Sequence, residues 1–180
     1  MSAITVPTEL RHARITGTGS HRPERVVPNS EIVEAIDSSD EWIRERSGIE
    51  SRHRAAPDES VVDMSEYASR AALEYAGIDA DQLDAVIVAT VTHPYQTPAA
   101  APELAARFGS RAAAFDLSAA CAGFCHALSV ANDMVRVGSA EHVLVVGVEK
   151  MLDFTDPEDR GSAFIFGDGA GAAIVSPSET

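Results

Sequence analysis

The sequence predicts an α/β domain on a mostly parallel mixed sheet, and three observations predict it. Short apolar runs rich in β-branched residues alternate along the chain with stretches of helical periodicity. Helix-start and helix-stop signals fall between those runs, as in consecutive βα units joined by right-handed crossovers. Finally, the stretch 121–137 has helical length but is apolar or small on nearly every side, as a helix covered on two faces would be.

The elements follow in order. A first strand is expected at Arg14–Thr18. Ser38 with Glu41 three residues on forms a capping-box pattern that opens the helix "SSDEWIRER". Ser60 with Asp63 resembles another, opening "SVVDMSEYASRAALEYAG", which stops at Gly77. Ala85–Val91 reads as a strand, "TPAAAPELAARFG" as a helix ending before Gly109, and Ala112–Leu117 as a further strand. The helix from about Cys121 to Val137 comes next, then a strand at His142–Val148 and a last short one at Ala172–Val175. No linker, low-complexity segment or short repeat interrupts the series, so residues 1–180 read as one domain.

The first three turns of the 121–137 helix, "CAGFCHALSVAN", carry no charge, and Asp133 and Arg136 appear only in its last turn. Its own sheet covers one side. The remaining elements supply no spare layer for the other, so a second domain, another copy of the chain, or both should lie against it.

This helix also holds both cysteines of the chain, Cys121 and Cys125. Cys121 falls at or next to the first helical residue, where backbone N–H groups lack partners and the macrodipole is positive. A thiolate is favoured at such a place, and the same N–H groups can donate to an oxyanion on an acyl group carried by the sulfur. The competing reading of Cys121 is a buried core thiol. Cys125, one turn further in, reads as a small hydrophobe in the core. His126 lies roughly 140° around the helix from Cys121 and is poorly placed as its base. The spacing is not that of a zinc motif, so no metal is expected.

Composition bounds the rest. With 45% apolar and 23% charged residues the 180-residue chain reads as a globular protein, and a net charge of −14 argues against general nucleic-acid binding. "MSAITVPTELRHAR" lacks the apolar core of a signal peptide, and no apolar run is long enough to cross a bilayer. The expected setting is the cytoplasm, away from membranes, with both thiols reduced.

Four motifs, "DSSDEWIRERSGIESRH", "AFDLSAACAGFCHALS", "LVVGVEK" and "DPEDRGSAFIFGDGAGAAIV", together resemble the N-terminal half of a β-ketoacyl-acyl-carrier-protein synthase III, of the thiolase superfamily. The resemblance implies a thiolase-like fold of two similar halves in five alternating α and β layers, assembled as a homodimer, with the C-terminal half absent from this chain. It implies that Cys121 accepts an acyl group from an acyl-CoA primer and passes it to malonyl-acyl carrier protein by decarboxylative Claisen condensation. The acyl-CoA is substrate and no cofactor is implied. The His and Asn that assist decarboxylation belong to the other half, so these 180 residues alone are expected at most to acylate themselves.

Other positions follow from the resemblance one by one. Trp42 matches the tryptophan that stacks on the CoA adenine, and Arg160 the arginine on the adenine's other side. Arg46 and Ser38 match positions that contact the CoA nucleotide. Phe166 matches a residue lining the acyl pocket. Thr97 falls near a position that the dimer partner inserts into that pocket, where a small residue would leave room for a primer larger than acetyl. Arg44, Arg46, Arg52 and Arg54 form a local basic cluster, read either as solvated surface or as a site for CoA phosphates or an acidic carrier protein. "GDGAG" at 167–171 lacks the spacing of a dinucleotide loop and is expected to make tight turns beside the active site. Two alternatives stand beside the condensing enzyme: an acyltransferase with an oxygen or nitrogen acceptor, and a non-catalytic partner subunit.

Overall fold

The computed structural model describes residues 10–179; most of the stretch read for a signal segment lies outside them. The strands are β1 His12–His21, β2 Arg25–Pro28, β3 Ser51–Arg54, β4 Ala85–Ala89, β5 Ala113–Leu117, β6 Val143–Lys150 and β7 Asp168–Ser178. The helices are α1 Asp40–Ser47, α2 Val61–Ala76, α3 Ala100–Arg107 and α4 Gly123–Arg136. Five strands form the main sheet in the order β1-β7-β6-β4-β5, while β2 and β3 pair antiparallel by themselves. β4 runs parallel to both β5 and β6, and β7 runs antiparallel to β6 and β1. Four strands therefore point one way and β7 alone opposes them, which is the mostly parallel mixed sheet the sequence predicts.

Three layers result. α2 and α3 cover one face of the sheet, burying Met64, Leu104, Leu144 and Ile174 beneath them. α4 covers the other through Ala127, Ala131 and Val135, which meet Ile87, Val143, Val145 and Val175. α2 starts with the expected capping box: Ser60 Oγ accepts from the Asp63 amide (3.1 Å) and the Ser60 amide donates to Asp63 Oδ2 (2.7 Å). It lies directly on β1. A Cβ at Gly19 would stand 2.2 Å from the Ala68 carbonyl oxygen, so only glycine permits that approach. No helix among the described residues is long and apolar enough to cross a membrane.

The structure corrects several expectations. α1 is capped by Ser39, whose side chain accepts from the Trp42 amide, and not by Ser38. The β2–β3 pair was not foreseen, because "RVVP" and "SRHR" are short and carry no alternating apolar pattern. β7 begins at Asp168 rather than Ala172, so the glycines of "GDGAG" lie mainly in extended strand, and none of them has positive φ. Pairing with β6 on one side and β1 on the other holds this glycine-rich run extended despite its weak strand propensity.

Candidate active site

Cys121 is placed by the end of β5. Asp116, next to last in that strand, accepts from the amides of Ala100 (2.9 Å) and Ala101 (2.7 Å), so its carboxylate caps α3 on the face that helix covers. Beyond Leu117 the chain turns through Ala120, at φ 45°, into one 3-10 turn, Ala120–Ala122, that carries Cys121 ahead of α4. The helix start expected at Cys121 is therefore two residues later. The turn uses two amides itself, from Ala122 to the Ala119 carbonyl (3.1 Å) and from Gly123 to that of Ala120. No side chain caps α4. Among the described residues, α1, α2 and α3 each have a side-chain cap and α4 has none.

The Cys121 thiol is exposed and lines a cavity of about 340 Å³ with Phe124, Glu149, Met151, Phe166 and small residues of β4, β6 and β7. Phe124 lies over Gly147, where a Cβ would stand 3.0 Å from its ring. Glu149 is already engaged: it accepts from the Val91 amide (3.1 Å), from Thr90 Oγ1 (3.2 Å) and from Thr92 Oγ1 (2.5 Å). No histidine lines this cavity. The arrangement offers a nucleophilic sulfur, apolar walls and room for a small acyl group, with no uncommitted general base beside it.

A second cluster forms around Trp42. The Arg46 guanidinium lies 4.8 Å from its ring centroid, that of Arg160 5.3 Å, and Phe164 meets it edge-on at 5.4 Å. At these distances the cations sit on the indole itself. Ser38 precedes the Ser39 cap, and its Oγ is buried without a partner. The hydroxyl of Ser162 and the Gly161 amide hold the Asp159 carboxyl below the usual range, ordering the turn beside Arg160. From Arg160 the chain passes Phe164 and reaches Phe166, so one short segment joins the Trp42 cluster to the Cys121 cavity.

The basic cluster comes apart in three dimensions. Arg44 pairs with Asp40 and Glu50, each at 2.7 Å. Arg52 is 6% exposed and donates to Asn29 Oδ1 (2.6 Å) and to the carbonyls of Val27 and Phe164 (3.3 Å each), and burial lowers its pKa. It braces the segment that carries Phe166. Cys125, expected in the core, is exposed: it lies on the outward side of α4 with His126, Ser129 and Val130, which none of the described residues covers. Thr97 is exposed on the way into α3, outside the cavity of its own chain. A larger open hollow of about 1460 Å³ lies among His21, Arg54, Glu59 and Tyr67; its walls mix charged and apolar side chains and hold no thiol.

Sequence reasoning missed Phe124, Glu149 and Asp116, and placed the buried Arg52 in a basic cluster. The first could have been found as an aromatic one turn from Cys121 on an otherwise small-residue helix. The others depend on partners far along the chain and leave no local signal.

Residues 115–180 match the family model of 3-oxoacyl-[acyl-carrier-protein] synthase III. Over 99% of its length the chain is 59% identical to a β-ketoacyl-[acyl-carrier-protein] synthase III of Streptomyces coelicolor, covering 52% of that protein. The chain belongs to the β-ketoacyl-[acyl-carrier-protein] synthase III family. Two solved structures agree with the synthase III assignment. The priming β-ketosynthase of the R1128 polyketide pathway superposes with a TM-score of 0.93 at 49% identity, over 99% of this chain and 54% of that one. The synthase III of Aquifex aeolicus superposes with a TM-score of 0.90 at 40% identity, over 93% and 55%. The fold is thus thiolase-like, and the chain spans about half the length of the synthase III proteins it matches.

Proposed function

We propose that this chain supplies the acyl-accepting part of a condensing enzyme that starts fatty-acid or polyketide chains in the cytoplasm. The Cys121 sulfur attacks the thioester carbonyl of an acyl-CoA; a new S–acyl bond forms as the CoA–acyl bond breaks, and CoA leaves as the thiol. The acyl-cysteine then meets malonyl-acyl carrier protein, whose carbanion, formed by loss of CO₂, attacks the carbonyl and releases the Cys121 sulfur. Trp42, Arg46, Arg160 and Ser38 take the CoA nucleotide, and Phe166 forms part of the acyl wall. A second, similar half supplies the decarboxylating His and Asn and covers the outward side of α4. Two such subunits pair, each lending Thr97 to the other's pocket.

One observation carries this reading: the exposed Cys121 thiol stands at the mouth of a cavity, on the turn before the uncapped helix. Intact-mass measurement after incubation with acyl-CoA tests it. The expected result is a gain of one acyl group that Cys121→Ala abolishes; no gain, or a gain that survives Cys121→Ala, overturns it.

A further inference from the structure

Gly171, inside β7, lacks the usual reasons for a glycine. Its φ is not positive, and a Cβ built on it meets no heavy atom within 4 Å. Other strand glycines are crowded: a Cβ at Gly17 would stand 2.3 Å from the Ala72 carbonyl oxygen, and one at Gly147 3.0 Å from Phe124. A glycine inside a strand weakens it, and commonly marks a place where something else approaches the backbone.

Strand alternation shows which side is left open. Ala172 and Ile174 belong to the core under α2 and α3, whereas Val175 belongs to the core under α4. Gly171 therefore faces the α4 side, where it lines the Cys121 cavity. The pairing register sets Ala89 beside Gly147 and Gly147 beside Gly171. One step back on the same face stand Ile87, Val145 and Ala173, the first two within the α4 core. The cavity exists because a whole row of side chains across three strands shrinks to Ala and Gly, and at Gly171 none of the described residues refills the space.

We infer that Gly171 sets the upper size of the acyl group that Cys121 carries, the chain beyond the thioester carbonyl lying over β7 at this position. The inference rests on the acyl-cysteine reading of the site. A side chain at 171 projects into that path, so each carbon added there removes room for acyl carbons.

The test compares initial rates of acylation of the whole protein by acetyl-CoA and hexanoyl-CoA, read by intact mass, for the parent, Gly171→Ala and Gly171→Val. The hexanoyl-to-acetyl ratio is expected to fall by about tenfold or more in Gly171→Val, with Gly171→Ala between it and the parent. Thermal stability should hold or rise, since a Cβ has room. An unchanged ratio overturns the inference. So does an equal fall in both rates with lost thermal stability, which would show that protein fills the hollow. A parent that accepts neither acyl group is a separate failure: it removes the acyl-cysteine reading and this inference with it.

Discussion

On the face of the sheet under α2 and α3 the chain satisfies itself, whereas the face under α4 is finished only in part. The first face buries Met64, Leu104 and Ile174 completely. Both of its helices have side-chain caps, and Arg107 ties them together through Asp63 (2.6 Å), Glu103 (2.9 Å) and Glu66 (3.3 Å). The second face packs tightly beneath the C-terminal part of α4 but opens into a cavity where Cys121 and Phe124 stand. Its helix has no side-chain cap, the turn before it contains Ala120 at φ 45°, and its outward side is exposed. The contrast teaches where each half of the requirement is met. Stability is concentrated on one side, and the uncapped helix start, the positive-φ turn and the cavity are gathered on the other.

The sharpest way to break this comparison is to remove a side chain from each face. Leu104→Ala should cost about 2–5 kcal/mol in denaturant unfolding, since the site is fully buried among packed neighbours. Val130→Ala, on the outward side of α4, should change stability by less than about 0.5 kcal/mol in this chain. A large cost at Val130 would show that the outward side is already covered by another copy.

A smaller effect concerns the ionic ties of the closed face. Burial pushes the Asp63 carboxyl up, but bonds from Ser60 and Arg107 outweigh it and hold the group below its ordinary range; bonds from Arg70 and Arg107 do the same for Glu66. The folded state therefore binds these protons less readily than the unfolded chain. Their contribution is complete above the unfolded value of about 4 and is lost as pH falls through the folded value. Asp63→Ala should lower stability by about 1–2 kcal/mol at neutral pH, through the lost capping box and ion pair. The difference from the parent should shrink as the pH falls through the folded value, and a gap that stays constant to low pH would contradict the assignment.

The smallest effect lies on the open face. Ala120→Gly should raise stability by about 1 kcal/mol, because glycine adopts positive φ without the Cβ clash. A destabilised variant would show that Ala120 is not strained.

How much of this was legible beforehand follows from the range of each interaction. Val86–Val88 and Val143–Val146 announce strands by composition, and Ser60 with Asp63 announces a helix start, because those signals are local. The apolar character of 121–132 asked for cover on two sides, and the described residues leave the outward side of α4 exposed. Ser39 displaced Ser38 as the cap by one position, which pattern reading rarely resolves. Arg52 looked like part of a surface cluster because nothing nearby in sequence shows that Asn29 and the Phe164 carbonyl surround it. Likewise, the length of β7 and the row Ala89, Gly147, Gly171 emerge only from strand register. Cys121 stood out as a candidate because strand end, turn and helix start are consecutive in sequence, while the cavity before it is assembled from four separate segments.

The most direct measurement is to locate the acyl group. After incubation with acyl-CoA, tandem mass spectrometry of the peptide that spans both cysteines should place the whole modification on Cys121 and none on Cys125, although both thiols are exposed. Label on Cys125 at a comparable level would mean that exposure alone governs reactivity, and would contradict the claim that the turn before α4 makes Cys121 the acyl acceptor.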